Sequence, residues 1–461
     1  MPALHPIPDP KTELKLHDGA RVGVIGGAPA GAFFSYFLLQ TAERVGLDVQ
    51  VDIYEARDFS LPAPQGCNMC GGIISESLVQ ALTVEGINLP STVVQRGIDS
   101  YVLHMEEGSV SIETPLHEKR IAAVHRGNGP RDIKNKRWRS LDGYLLELAV
   151  NKGARSLHQR VDGVSWNGGR PEIKTRGGTA EIYDLLAVAV GVNSGALKFF
   201  EQLNIGYAAP QTAKTYIREF YLGQEAIEEH LGSSMHVFLL NMPRLEFAAL
   251  IPKGEYVTLV LLGDDVDAAL VENFLNTPVV SACLPPDWRQ AKEFCHCSPK
   301  INIVSAVQPF ADRIVFIGDS GATRLYKDGI GAAYRTAKAA AVTAVFEGIS
   351  AADFRRRFAP ACEKISKDNL IGKFIFFVTR HIQKWPHDRR GVLRMVAREQ
   401  RREGVPRRMS MVLWDVFTGS APYKDILLRT LHPAFVMGFV WAIAAAAWSH
   451  MVGGLTWKRA H

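Results

Sequence analysis

The chain has 461 residues and a formal net charge of +6, with 47% hydrophobic and 22% charged residues. That length suits two or three domains, and that composition supports a folded core and excludes a disordered chain; so mild a charge selects no partner. Six cysteines (Cys67, Cys70, Cys283, Cys295, Cys297 and Cys362) are too few for a disulfide scaffold and point to a reducing compartment, the cytoplasm.

Residues 1–20 form a polar arm rich in proline, with Asp9, Glu13 and Asp18 and no apolar run before Arg21, so they do not read as a secretory signal. Val22–Ile25 is a short apolar run followed by Gly26-Gly27-Ala28-Pro29-Ala30-Gly31. Ala32–Arg44 is apolar on most faces and predicts a helix, with Gly46 as its C-cap. Val49–Tyr54 is rich in β-branched residues and ends at Glu55, which completes a strand, glycine turn, helix and strand. Residues 61–75 read as irregular and hold Cys67-Asn68-Met69-Cys70-Gly71-Gly72. Strands are expected at Ser109–Glu113, Glu172–Lys174, Leu185–Val190, Tyr256–Leu262 and Ile314–Ile317, and helices at Leu141–Val150 and Ala332–Glu347. From Lys373 to Arg408 the bases far outnumber the acids, and Ala434–Trp457 carries no formal charge.

The glycine turn is the first chemical signal. A pyrophosphate needs backbone N–H donors, and a helix N-terminus supplies them with a favourable dipole. Glycines let the backbone turn tightly and come close. The pattern here is Gly26-x-Ala28-x-x-Gly31, with alanine at the middle position. Glu55 ends the second strand, where a carboxylate accepts from a ribose hydroxyl and disfavours a phosphate, so FAD or NAD fits better than NADP. A lone glycine turn without a ligand is the plainer reading; the flanking strand, helix and acid argue against it.

Together with Gly318-Asp319-Ser320 far downstream, this turn resembles the p-hydroxybenzoate-hydroxylase-type flavoproteins, and within them most closely the geranylgeranyl reductase family. Pro29-Ala30-Gly31, Cys70-Gly71-Gly72, Ile251-Pro252-Lys253-Gly254 and Asp328-Gly329-Ile330-Gly331 carry the likeness, which spans residues 20–350. The resemblance implies FAD bound through Gly26, Ala28, Ala30, Gly31, Glu55, Gly71, Gly72, Arg139, Gly318, Asp319, Gly329, Ile330 and Gly331. Asp319 would hold the ribityl chain, and Gly329–Gly331 would offer N–H groups to the flavin ring. Cys70 would stand near that ring as a proton donor, against the plainer reading of an inert buried thiol.

Two features depart from the hydroxylases. Their middle Asp-Gly motif corresponds to Ala189-Val190-Gly191 here, which argues against hydroxylation driven by NADPH. The proline usual after the Gly-Asp motif is missing from Gly321–Lys327, which holds Arg324, Tyr326 and Lys327 instead. The pairs Cys67/Cys70 and Cys295/Cys297 suit a redox dithiol, part of a metal site, or simple packing; sequence does not show that they meet, and no metal is assigned.

Arg389, Arg390, Arg394, Arg398, Arg401, Arg402, Arg407 and Arg408 precede the apolar run Ala434–Trp457, which has the length of about 20 residues that a membrane helix needs. A solvated charged face is the default reading of such a run. Its position predicts association with the cytoplasmic side of a membrane, either spanning it or lying on it. Nucleic acid is not expected as a partner. The expected architecture is α/β (α+β). A Rossmann-like FAD-binding domain (21–100, 139–200, 300–350) carries an inserted antiparallel β-sheet substrate domain (101–138, 201–299). A basic helical region (351–432) and a hydrophobic membrane-associated tail (433–461) follow. The expected activity is reduction of a double bond in an apolar, isoprenoid-type lipid, with hydride from flavin N5. A monooxygenase, or an electron-transfer flavoprotein serving a quinone, is the alternative. A reduced nicotinamide or a ferredoxin-type protein is the expected electron donor.

Overall fold

The computed structural model describes residues 14–67, 69–131, 138–290, 293–402, 404 and 406–457. Most of the polar arm, Asn68 of the cysteine segment, and Lys458 and Arg459 lie outside the described residues, as do the side chains of Trp448, His450 and Trp457.

The first unit is built on a six-stranded sheet. Its order is Phe310–Ala311, Ile314–Phe316, Leu185–Val188, Ala20–Ile25, Val49–Tyr54 and Arg155–Leu157. Every pair from Ile314–Phe316 onward is parallel, with Val22 opposite Leu185 on one side and Val51 on the other. Strands buried on both faces are rich in valine, isoleucine and leucine, as these are. Val22, Val24, Val51 and Ile53 pack under Phe33 and Phe37 of the helix Pro29–Val45 and under the alanines of the helix Gly329–Phe346. Ile25, Tyr54, Leu186 and Val188 face the other way, toward Val161 and Ile173 of a three-stranded antiparallel sheet spanning 161–182.

Two helices begin earlier than the hydrophobic pattern indicates. The first starts at Pro29, because proline suits a first turn whose N–H groups have no intrahelical partner. The alanine-rich helix starts at Gly329, after a left-handed Asp328 (φ 54°), so Gly329–Gly331 are its first turn and no loop. The strand expected at Leu185–Val190 ends at Val188, where the chain turns into Gly191.

The second unit is a seven-stranded sheet with the order Glu293–Cys297, Tyr216–Tyr221, Tyr256–Gly263, Leu245–Lys253, Ser234–Phe238, Ser100–Met105 and Gly108–Glu113. All neighbours are antiparallel except Ser234–Phe238 with Ser100–Met105. One face buries Phe238, Leu250, Leu259 and Phe274. The other carries Tyr101, Phe247, Ile251 and Val260.

The C-terminal helices cover part of that second face. Phe376, Val396, Val416 and Tyr423 share its core, so the region after 351 is packed on the sheet. Its charges have partners far away in sequence: Arg389 is buried against Glu106 and Glu107, and Arg380 pairs with Glu246. The apolar run forms the helix Pro433–Trp457, which lies along Pro386–Arg401, where Ile443 fits over Gly391. No single helix among the described residues is long and apolar enough to cross a membrane. The pair Tyr423–Thr430 and Pro433–Ala446 passes that test together, bent by 69°.

Candidate functional site

The turn Gly26–Gly31 sits where the central strand Ala20–Ile25 meets its helix. Gly26 has φ 103°, and a Cβ built there would lie 2.5 Å from the Ala189 carbonyl oxygen. The turn therefore requires glycine at its first position, both for conformation and for close approach. No side chain caps the helix that follows, and its first turn holds no acid. The end of the helix keeps its dipole and its free N–H groups for an anion.

Glu55 closes one side of this turn. Its carboxylate accepts N–H bonds from Gly27 (2.8 Å) and Arg57 (2.9 Å). Burial pushes its pKa up, and those two N–H groups partly offset the shift. Gly318 closes another side. It is left-handed (φ 60°), and a Cβ there would lie 2.8 Å from that of Ala30. The Gly318-Asp319 motif thus packs directly on the first turn of the early helix, although 288 positions separate Gly318 from Ala30.

Asp319 links the remaining motifs. A side chain at Gly329 would stand 3.8 Å from its Oδ1, so the alanine-rich helix begins beside this carboxylate. Burial raises the Asp319 pKa, and the nearby Arg126 cation partly offsets that. Asn302 donates through Nδ2 to the Asp319 carbonyl (2.9 Å), and its Oδ1 is buried with no protein partner among the described residues. Gly26, Ala28, Ala30, Gly31, Glu55, Gly318, Asp319 and Gly329 are thereby brought to one place. Ile330 is buried in the core below it, and Gly331 leaves room for the Asp328 carboxylate, 2.1 Å from where a Cβ would be.

The cation of the site escaped sequence reasoning. Arg139 is half-exposed and pairs with Glu147 of the helix Leu141–Asn151. Arg126 is the guanidinium that faces both Asp319 and the Cys70 sulfur, and the buried Asp142 holds it in a two-pronged ion pair. Nothing marks Arg126 in the sequence, because its partners lie in three separate segments.

The cysteine loop lies against the seven-stranded sheet. A Cβ at Gly71 would meet Val260 (3.2 Å) and Ile251 (3.6 Å), and one at Gly72 would meet the Lys253 Nζ (2.9 Å). Lys253 is itself buried beside Glu219 (3.8 Å), whose carboxylate accepts from the Thr258 hydroxyl at 2.8 Å. Burial raises the Glu219 pKa, with Lys253 and Thr258 opposing. Glu219 therefore carries a proton to higher pH than an exposed glutamate. Cys295 and Cys297 lie on the adjoining edge strand, opposite Glu219 and Ile217.

The loop after Asp319 reaches the C-terminal helices. Arg324 donates to the carbonyls of Gly419 and Ala421, and Lys327 to those of Asp415 and Val416. Lys327 thereby caps the last turn of the helix Arg408–Thr418 by hydrogen bonds, burial pushing its pKa down, and the Arg324 guanidinium binds the turn just beyond it. They fasten the C-terminal helices to the site.

No family model matches the chain, and no curated protein matches it. Solved structures share its fold. A geranylgeranyl bacteriochlorophyll reductase-like protein from Thermoplasma acidophilum aligns over 90% of this chain and 99% of its own, with 14% identity and a TM-score of 0.63. A flavoprotein/dehydrogenase from Cytophaga hutchinsonii aligns over 94% and 100%, with 13% identity and a TM-score of 0.59. A point variant of the halogenase PltM, in a complex with FAD, aligns over 94% and 92%, with 12% identity and a TM-score of 0.59. At such identities the likeness is one of fold.

Proposed function

We propose that this chain is an FAD-dependent oxidoreductase that reduces a carbon–carbon double bond in an apolar, isoprenoid-type lipid. One observation carries the reading: Gly318-Asp319 packs on the first turn of Pro29–Val45, with Glu55 on one side and Gly329 on the other. These groups suit the parts of one FAD. The N–H groups of the early helix would hold the pyrophosphate, Glu55 a ribose, and Asp319 the ribityl hydroxyls. The first turn of Gly329–Phe346 would stand at the ring, and the unpartnered Asn302 Oδ1 offers it an acceptor. FAD bound there supplies hydride from N5.

The residues around that position fit such a reaction. Ile251 and Val260 bring apolar side chains against the Cys70–Gly72 loop, and Phe247, Phe376 and Phe417 share the same core. Apolar surroundings of this kind would suit a hydrocarbon substrate. Glu219, whose pKa burial raises against the opposing Lys253 and Thr258, would deliver the proton that completes reduction. Cys70, the donor expected from the sequence, has its sulfur against Arg126.

An apolar substrate suits a protein that rests on the cytoplasmic side of a membrane. Leu370, Phe374, Phe377 and Val378 are exposed on the helix Ala359–Lys384, flanked by Lys373 and Arg380. Met437, Val440 and Trp441 are exposed on the terminal helix. Apolar faces with basic margins bind anionic lipid surfaces.

The test is anaerobic photoreduction of the purified protein, followed by addition of polyprenyl lipids, quinones or oxygen. Reoxidation by a polyprenyl lipid, with a saturated product, is the expected outcome. A hydroxylated product formed only with oxygen would establish the monooxygenase instead, and reoxidation by quinone alone the electron-transfer role.

A further inference from the structure

We propose that His104, His236 and Cys283 ligate one soft metal ion, copper(I) or zinc, on the face of the seven-stranded sheet turned away from Val260. The strands Ser100–Met105 and Ser234–Phe238 form the parallel pair of that sheet, with His104 opposite Phe238 and His236 opposite Val102. Side chains alternate along a strand. Both imidazoles therefore share the face of Phe238, while Leu103 and Val237 point the other way, into the core that holds Val260. The His104 ring stacks on Phe238, with centroids 4.6 Å apart, and on His236, at 5.0 Å. Cys283 arrives from a third segment, just after the short helix Pro278–Ser281, and belongs to the core on this same face. All three residues are buried.

Their ligand atoms converge. His104 Nε2 lies 3.0 Å from His236 Nδ1 and 3.6 Å from Cys283 Sγ, and all three atoms lie within 4.8 Å of one another. With metal–nitrogen bonds of about 2.0–2.1 Å and a metal–sulfur bond of about 2.3 Å, neighbouring ligand atoms around an ion stand about 3.3–3.8 Å apart. Small side-chain shifts suffice to admit one. Hydrogen bonds alone leave the convergence half used. Two atoms face His104 Nε2, and an imidazole nitrogen offers either one lone pair or one N–H. A central ion engages all three ligands at once. His104 Nδ1 lies 2.6 Å from the Ser109 hydroxyl oxygen. Donation of its N–H there turns the Nε2 lone pair to the ion, the usual outer support of a ligating histidine.

Ligand type and charge select the ion. Thiolate with imidazole suits copper(I) and zinc. The three residues bond to one another, to Ser109 and to the Val279 carbonyl, and among the described residues none of these partners is an acid or a fixed cation. Copper(I) with one thiolate and two neutral imidazoles leaves no net charge, which a buried site tolerates best. Zinc leaves one positive charge and an open position, which a hydroxide would fill. Copper(I) is therefore the favoured occupant.

The Cys283 thiol donates to the Val279 carbonyl at 3.3 Å. On binding, its S–H bond breaks and the proton leaves to solvent. The sulfur electron pair forms the metal bond, and no electron changes hands. Acid reverses the step by protonating the ligands. The ion joins three separate segments and pins the stretch around Cys283 to the sheet. None of this depends on the flavin reading.

The test loads the full, reduced chain with copper(I) in one arm and zinc in the other, without oxygen, and removes loose metal with a competing chelator. X-ray absorption at the metal edge then reads the ligand shell. The expected result is an ion held by two imidazole nitrogens and one sulfur, with copper(I) kept against stronger competition than zinc. Zinc in the same shell with one added oxygen would support the same site. Cys283→Ser and His236→Gln should each lower the retained metal by one ion per chain, and Cys362→Ser by none. The proposal is overturned if neither ion is retained, if the shell holds sulfur alone and so belongs to other cysteines, or if both ligand variants keep the full metal content. The shell is read on the unaltered chain and decides the matter even if the variants fail to fold.

Discussion

The two sheets of this molecule place function differently. The parallel sheet gathers its chemistry at one end, where Gly26, Glu55 and Gly318 all follow strands. Those residues are backbone turns and a carboxylate, and they recur at fixed distances from apolar runs. The antiparallel sheet spreads its chemistry across a face. Glu219, Thr258, Cys295 and Cys297 lie within strands and become neighbours only through register. The lesson is that loop chemistry is set by local sequence, and face chemistry by long-range pairing.

Perturbing each region separately sharpens this contrast. The largest effect is expected from Arg126→Met, which removes the two-pronged ion pair from the buried Asp142 carboxylate. Chemical denaturation should show a loss of about 3–5 kcal/mol, while a loss under 1 kcal/mol would mean that solvent already screens the pair. Acid should act mainly on the antiparallel half. Burial pushes His104 down to about 3 and His236 down to about 4. Both stay neutral in the folded chain where the unfolded chain binds protons. Their contribution is complete above about pH 6.5 and declines as pH falls, by about 2 kcal/mol for each histidine at pH 5. Replacing both with glutamine should flatten the stability profile between pH 7 and pH 5.

Smaller and more specific effects belong to the parallel half. Gly26→Ala forces a side chain toward the Ala189 carbonyl and should lower stability by about 1–3 kcal/mol, with flavin retention falling in step. Asp319→Ala should weaken FAD binding roughly 10- to 100-fold, the equivalent of a hydrogen bond to a charged group. The variant without FAD should melt no lower than the unaltered apoprotein, because a desolvated carboxylate has been removed. Equal affinity in a flavin titration would break the assignment. The smallest change is expected for Arg139→Ala, within about 1 kcal/mol for an exposed pair and with FAD affinity unaltered. A marked loss of affinity would restore Arg139 to the site.

Much of the parallel half was legible in the sequence. The glycine turn, Glu55, the helix Leu141–Asn151 and the approach to Gly318-Asp319 each carry a local pattern. The helix start at Gly329 was misread because small residues carry little hydrophobic periodicity, and only the left-handed Asp328 defines the boundary. Arg126 was invisible because arginine has no local signature and its three contacts come from distant segments. The roles of Arg324 and Lys327 were hidden for the same reason: the carbonyls they bind lie about 90 positions away. The basic run after Lys373 reads as a free surface, yet Arg389 is buried between acids near position 106.

The account rests on FAD occupying the end of the parallel sheet. The direct measurement is the amount of FAD released on denaturing the purified chain, beside the same measurement on Asp319→Ala. One FAD per chain in the unaltered protein, and a clear deficit in the variant, is the predicted result. A colourless protein that takes up no FAD at saturating concentration would contradict it.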